Sequence, residues 1–132
     1  MSPRTQIRTV RPDEWREVRD VRLRALADAP DAFGATLADE DADPDEAWQR
    51  RADRPDGTMI VAVDDAGRFI GVGSGGPAPD TRDFAAIYGM WVDPASRGQG
   101  IGEGIIRQIA DWARSAGYEA IGLGVTIGNE SA

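Results

Sequence analysis

Apolar residues recur along this chain with two periods, and the switches between them mark out the elements. Gln6 to Val10 alternates weakly, as a half-buried strand does. From there Trp15, Val18, Ala25 and Leu26, with Arg22 among them, fall at helical spacing. Arg11-Pro12-Asp13 caps that helix, which runs to about Ala27, and Asp28-Ala29-Pro30 ends it. A short helical turn is expected around Ala32 to Leu37. Asp43-Pro44-Asp45-Glu46 offers an N-cap, a proline at the first helical position and a capping-box acid, opening a helix to about Arg54. Thr58 to Val63 and Arg68 to Gly73 flank Asp64-Asp65-Ala66-Gly67, a strong hairpin signal. Residues 75–83, rich in glycine and proline, read as a loop, and Phe84 to Val92 as the next strand. Ile101 to Ala116 is the clearest helix: Ile101, Ile105, Ile109, Trp112 and Ala116 make one apolar stripe, and Gly117 ends it. Tyr118 to Thr126 returns as a strand. A strand–helix–strand unit of this kind favours parallel pairing of its two strands.

Composition narrows the chemistry. The 132 residues, 41% hydrophobic and 29% charged, suit a single α/β domain over 1–132 with a substantial core. No apolar run is long enough for a membrane span and no signal peptide is apparent, so a cytoplasmic location is expected. Cysteine, histidine and lysine are all absent, and all 15 basic residues are arginine. That removes thiol catalysis, Ser-His-Asp triads, histidine zinc sites, Schiff-base lysines and the Walker lysine. Asp39 to Arg50 begins like an EF-hand loop, but Pro44 stands at the required glycine and Arg50 at the required glutamate, so no metal is expected. The net charge of −8 argues against nucleic acid as a partner. Six of the eight residues from Asp39 to Glu46 are acidic. They are either a solvated helix start or a rim that attracts a cationic amine, and both readings stay open.

The most informative stretch is Val92-Asp93-Pro94-Ala95-Ser96-Arg97-Gly98-Gln99-Gly100-Ile101-Gly102, where a strand turns through an Arg- and Gly-rich loop into the amphipathic helix. Backbone N–H groups at a helix N-terminus suit a phosphate, and the glycines let it approach. Gly71-Val72-Gly73-Ser74-Gly75-Gly76 matches the bare dinucleotide pattern, but prolines follow where a helix should open. It reads as a flexible strand end bordering the active cleft. Gly89, inside a β-prone run, marks a bulge or a close backbone approach.

Arg97-Gly98-Gln99-Gly100-Ile101-Gly102 resembles the Q/R-x-x-G-x-G/A pyrophosphate loop of the GNAT superfamily of N-acetyltransferases. Ile87 to Val92 is similar to that family's fourth strand, Val125 to Ala132 to the end of its fifth strand and start of its fourth helix, and Ala32 to Leu37 to a segment common in bacterial members. The resemblance implies a mixed sheet with antiparallel N-terminal strands and a β-α-β core that binds acetyl-CoA. It implies that Arg97, Gly98, Gln99, Gly100, Ile101 and Gly102 hold the pyrophosphate. The main chain of Met90, Trp91 and Val92 would meet pantetheine, Asn129 would contact the cofactor, and Phe33 and Ser74 would border the acceptor. A homodimer is compatible with it.

The implied reaction is direct acetyl transfer to a primary amine of a small molecule or peptide, which must arrive neutral. Deprotonating a lysine-like amine at pH 7 costs roughly 4–5 kcal/mol. The family's strand glutamate is absent between Phe84 and Val92, which leaves Asp83 and Tyr88 as candidates. The family fold adds a helix and two strands after Asn129, roughly 30 residues. The chain therefore reads as C-terminally incomplete, with the last helix and strands missing. Glu103 departs from the basic or neutral residue usual after the motif; an outward position beside Arg107 is expected. A catalytically inactive acyl-CoA-binding module and a plain interaction domain remain as alternatives.

Overall fold

The computed structural model describes residues 5–30, 36–53, 56–78 and 81–123. Five strands form one sheet in chain order: β1 (Gln6–Thr9), β2 (Thr58–Val63), β3 (Phe69–Ala78), β4 (Thr81–Val92) and β5 (Ala120–Leu123). The first four pair antiparallel, and β4 and β5 pair parallel across the connecting helix. Helices α1 (Trp15–Asp28), α2 (Leu37–Asp41) and α3 (Asp45–Ala52) precede β2, and α4 (Ile101–Ser115) joins β4 to β5. The mixed α/β class read from the pattern is the one observed.

Helices cover both faces of the sheet, and β2 shows why. All six of its residues are buried, with Val61 and Val63 packing with Val18, Val21 and Trp48, and Ile60 and Ala62 packing with Ile101, Ile105 and Ile109. A strand covered on both sides carries a continuous apolar run instead of an alternating one.

The expected loop over 75–83 is corrected: β3 continues to Ala78 and β4 already begins at Thr81, with Gly75, Gly76 and Pro77 paired to Ile87, Ala86 and Ala85. The glycines serve close packing. A Cβ on Gly71 would lie 3.0 Å from Ile101 and 3.1 Å from Ile105, and one on Gly75 would lie 2.6 Å from Ile109. On Gly73 it would strike Met90 and sit 2.7 Å from Ile105. Two strand residues advance ~6.6 Å and four helix residues ~6 Å, so a glycine every second position stays in step with an isoleucine every fourth. The dinucleotide-like pattern is thus the bed on which α4 lies.

Smaller differences have local causes. Pro44 is the N-cap of α3, not its first helical residue, and Asp43 pairs with Arg51 at 2.8 Å instead of capping. The helix ends at Ala52, and residues 32–35 and Arg54 lie outside the described residues. Leu37 opens α2, capped by the Thr36 hydroxyl, which accepts from the Asp39 N–H at 3.1 Å. On α4, Ala113 is buried while Ala116 is exposed beyond the helix end. Gly117, with φ +90°, terminates that helix as expected. β5 is described only to Leu123, so its expected continuation to Thr126 falls outside the described residues.

Candidate active site

The loop entering α4 is built from two left-handed glycines. Asp93 accepts from the Ala95 N–H and starts a single tight turn over Pro94–Ser96. Gly98 and Gly100 then take φ of +80° and +81°, which only glycine adopts without strain. A Cβ at either would meet nothing within 4 Å, so the loop's upper surface is open. Gly100 is the N-cap and no side chain caps the helix. The Gly104 N–H donates to the Gly100 carbonyl at 3.1 Å, so helix geometry leaves the amides of Ile101, Gly102 and Glu103 without intrahelical acceptors. They border a cavity of about 180 Å³ lined also by Val92, Ser96 and Arg97. This arrangement, a positive helix end with open amides, fits a phosphate group. Glu103 is exposed on its rim, and no ion pair joins it to Arg107 among the described residues.

Arg97, which lines that cavity, is also tied into the fold beneath it. Its Nε donates to the Val92 carbonyl at 2.9 Å and its Nη2 to Asp28 Oδ2 at 3.0 Å. The same Asp28 oxygen accepts from the Trp91 indole N–H at 3.0 Å. Arg97 therefore braces the loop against the end of α1. Arg24 completes the brace. It donates to the Phe69 carbonyl and to Asp93, each at 2.7 Å, and lies over the Trp91 ring. Burial alone would raise the Asp93 carboxyl, but the Ala95 N–H and the Arg24 guanidinium outweigh it and hold the pKa below the ordinary value. Sequence reading missed Asp28, Arg24 and Asp93, since each looked like an ordinary helix or turn residue. Met90, Trp91 and Val92 have buried side chains, so only their main chain can face a ligand, while Gln99 is exposed.

The bulge expected at Gly89 is present. From Val72↔Trp91 to Ser74↔Tyr88, β3 advances two residues and β4 three, and Gly89 absorbs the extra residue at φ +66°. β4 pairs with β5 from Phe84↔Ala120 to Ile87↔Leu123, the last described residue of β5.

On the α1–α3 side, the bulge opens into a second cavity of about 180 Å³. Val18, Val21, Trp48, Met59 and Val72 form its apolar walls, with Arg22, Glu40, Arg51, Ser74, Tyr88 and Gly89 supplying the polar part. A Cβ on Gly89 would lie 3.7 Å from Arg22 Nη1 and 4.0 Å from Ser74 Oγ, so both atoms face the bulge. Much of the acidic run is neutralised here. Buried Glu40 accepts from Arg22 Nε at 2.9 Å, Arg22 Nη2 at 3.1 Å and Arg51 Nη1 at 3.4 Å, and Asp41 pairs with Arg19. Ser74 and Tyr88 thus come together at one cavity, and the loop residues gather at the other. Phe33 and Asn129 lie outside the described residues, as does the side chain of Asp83.

Residues 15–132 match the model of the acetyltransferase (GNAT) family. Solved structures with the same fold include an aminoglycoside acetyltransferase from an uncultured soil metagenomic sample in complex with sisomicin. It is 17% identical, with 91% of this chain and 76% of that one covered at a TM-score of 0.69. The aminoglycoside N-acetyltransferase AAC(6')-Iy in complex with CoA is 16% identical, with 96% and 82% covered and a TM-score of 0.69. An acetyltransferase of Trypanosoma brucei is 26% identical, with 93% and 84% covered and a TM-score of 0.63. No protein of curated function matches the sequence.

Proposed function

The chain belongs to the GNAT acetyltransferase family, and we propose that it is an acetyl-CoA-dependent N-acetyltransferase of small amines. The observation that carries this reading is the pairing of two features on one strand. An open, glycine-built helix N-terminus follows β4, and a bulged stretch of β4 lies just before it.

Acetyl-CoA, when bound, supplies an acetyl group activated as a thioester. The amides of Ile101 and Gly102, with the turn at Gly98 to Gly100, hold the pyrophosphate, and Arg97 keeps that turn in place through Asp28. The main chain from Met90 to Val92 would meet the pantetheine arm, with the Val92 carbonyl already accepting one bond from Arg97. An amide at the bulge would donate to the thioester carbonyl oxygen as it takes up negative charge. The acceptor amine must lose a proton before it attacks, and no histidine is available to take it. Tyr88, on the cavity wall, is assigned the proton-handling role, with Asp83 on the same strand as the alternative.

Calorimetric titration with acetyl-CoA tests this, followed by thiol release from acetyl-CoA with a panel of amines. Saturable binding that disappears in Gly100→Glu is expected, because a side chain there is strained and its carboxylate meets the pyrophosphate. A cooperatively folded chain that binds no acyl-CoA would overturn the proposal.

A further inference from the structure

Resting on that reading, the charge balance of the bulge cavity identifies the kind of amine that enters it. The acidic residues from Asp39 to Glu46 suggested a cationic acceptor, yet the cavity itself has the opposite character. Among the described residues its lining holds two guanidiniums, Arg22 and Arg51, and one carboxylate, Glu40, while Asp43 pairs with Arg51 beside it. Glu40 already takes three N–H donors from the same two arginines. It has little left for an incoming ammonium group, whereas donors are in excess. Arg51, with 36% of its side chain exposed, spends one N–H on Asp43 and one long bond on Glu40 and lies over the Trp48 ring. The remaining N–H groups of its planar fork suit a carboxylate. Ser74 is buried, with only 5% of its surface exposed. It faces the bulge, where the amine must react. The walls between these two ends are aliphatic and aromatic.

We propose that the acceptor is a small apolar amine that also carries a carboxylate, with its amino group at Ser74 and Gly89 and its carboxylate at Arg51. The cavity, at about 180 Å³, is smaller than the ~300–1,000 Å³ of ordinary ligand pockets. It is matched in size by an aliphatic amino acid. Arg51 is then a specificity-determining residue.

Leucine and leucinamide differ in the carboxylate and in the basicity of the amine, so their rates are compared per concentration of neutral amine across a pH series, with sisomicin as the polycationic comparison. Initial rates of thiol release from acetyl-CoA should give kcat/KM about tenfold or more higher for leucine than for leucinamide, the scale of one charge-assisted hydrogen bond. Arg51→Met should bring the ratio of the two toward one through KM, and Arg51→Lys should recover part of it. A preference for leucinamide or sisomicin would overturn the proposal, as would a ratio that Arg51→Met leaves unchanged. Should none of the three be acetylated, leucine and leucinamide titrated into the CoA-loaded protein decide it, since equal or absent binding refutes a carboxylate site. Absence of acetyl-CoA binding, by contrast, refutes the acetyl-transfer reading itself.

Discussion

Replacing Gly73 by alanine tests whether the sheet really depends on a glycine bed for α4. The added Cβ would sit 2.7 Å from the Ile105 γ-methyl and closer still to the Met90 sulfur, where ordinary contacts begin at 3.4 Å. Met90 has rotatable bonds with which to yield. Ile105 does not, because its β-branched side chain is locked in the helix and fully buried. The helix must therefore lift by several tenths of an ångström, against its contacts at Gly71 and Gly75. Overpacking of this kind costs about 1–3 kcal/mol. Removing a glycine from a strand returns ~0.5–1 kcal/mol through chain entropy. The net loss is on the order of 1–2 kcal/mol, a fall in Tm of roughly 3–8 °C for a domain of this size. Urea unfolding followed by circular dichroism measures it, with Gly122→Ala as the control. That position is exposed on the edge strand and a Cβ there meets nothing within 4 Å, so the control should match or slightly exceed the parent. If Gly73→Ala is as stable as the parent, the helix is not seated on the glycines and the account of this segment is wrong.

The brace below the pyrophosphate loop makes two further predictions. Asp28→Ala leaves the Trp91 indole N–H and Arg97 without their shared acceptor. Stability should drop by about 1–2 kcal/mol, mostly from the indole, since a pair as exposed as Arg97–Asp28 contributes only ~0–1 kcal/mol; equal urea midpoints would show that the brace is idle. For Asp93 the folded pKa is depressed, so its contribution is present above the unfolded value near 3.9 and is lost as pH falls through the folded value. The stability gap between the parent and Asp93→Asn should accordingly be constant at neutral pH and close below about pH 4. A gap that persists undiminished in acid would mean that the carboxylate is not what stabilises the turn.

What could be read from the chain divides along physical lines. Patterns that act locally were legible: the 3.6-residue stripe of α4, the hairpin at Asp64 to Gly67, the left-handed glycine that ends α4, and the Arg97 to Gly102 loop. Each depends on backbone conformation or on one face of one element, and so leaves its mark in adjacent residues. Gly89 was legible for the same reason, because a glycine within a β-prone run signals a bulge whatever surrounds it. The glycines from 71 to 76 misled, since turn and close packing ask for the same residue and only the helix above distinguishes them. Charge was the least legible property. The acids from Asp39 to Glu46 look like an attractive patch until folding sets Arg19, Arg22 and Arg51 against them, three arginines from two separate helices. Asp28, 63 residues from Trp91 and 69 from Arg97, shows the same limit. Sequence determines what each segment becomes, because those forces act between neighbours in the chain; tertiary structure alone decides which charges meet, because Coulomb forces and hydrogen bonds depend on distance in space.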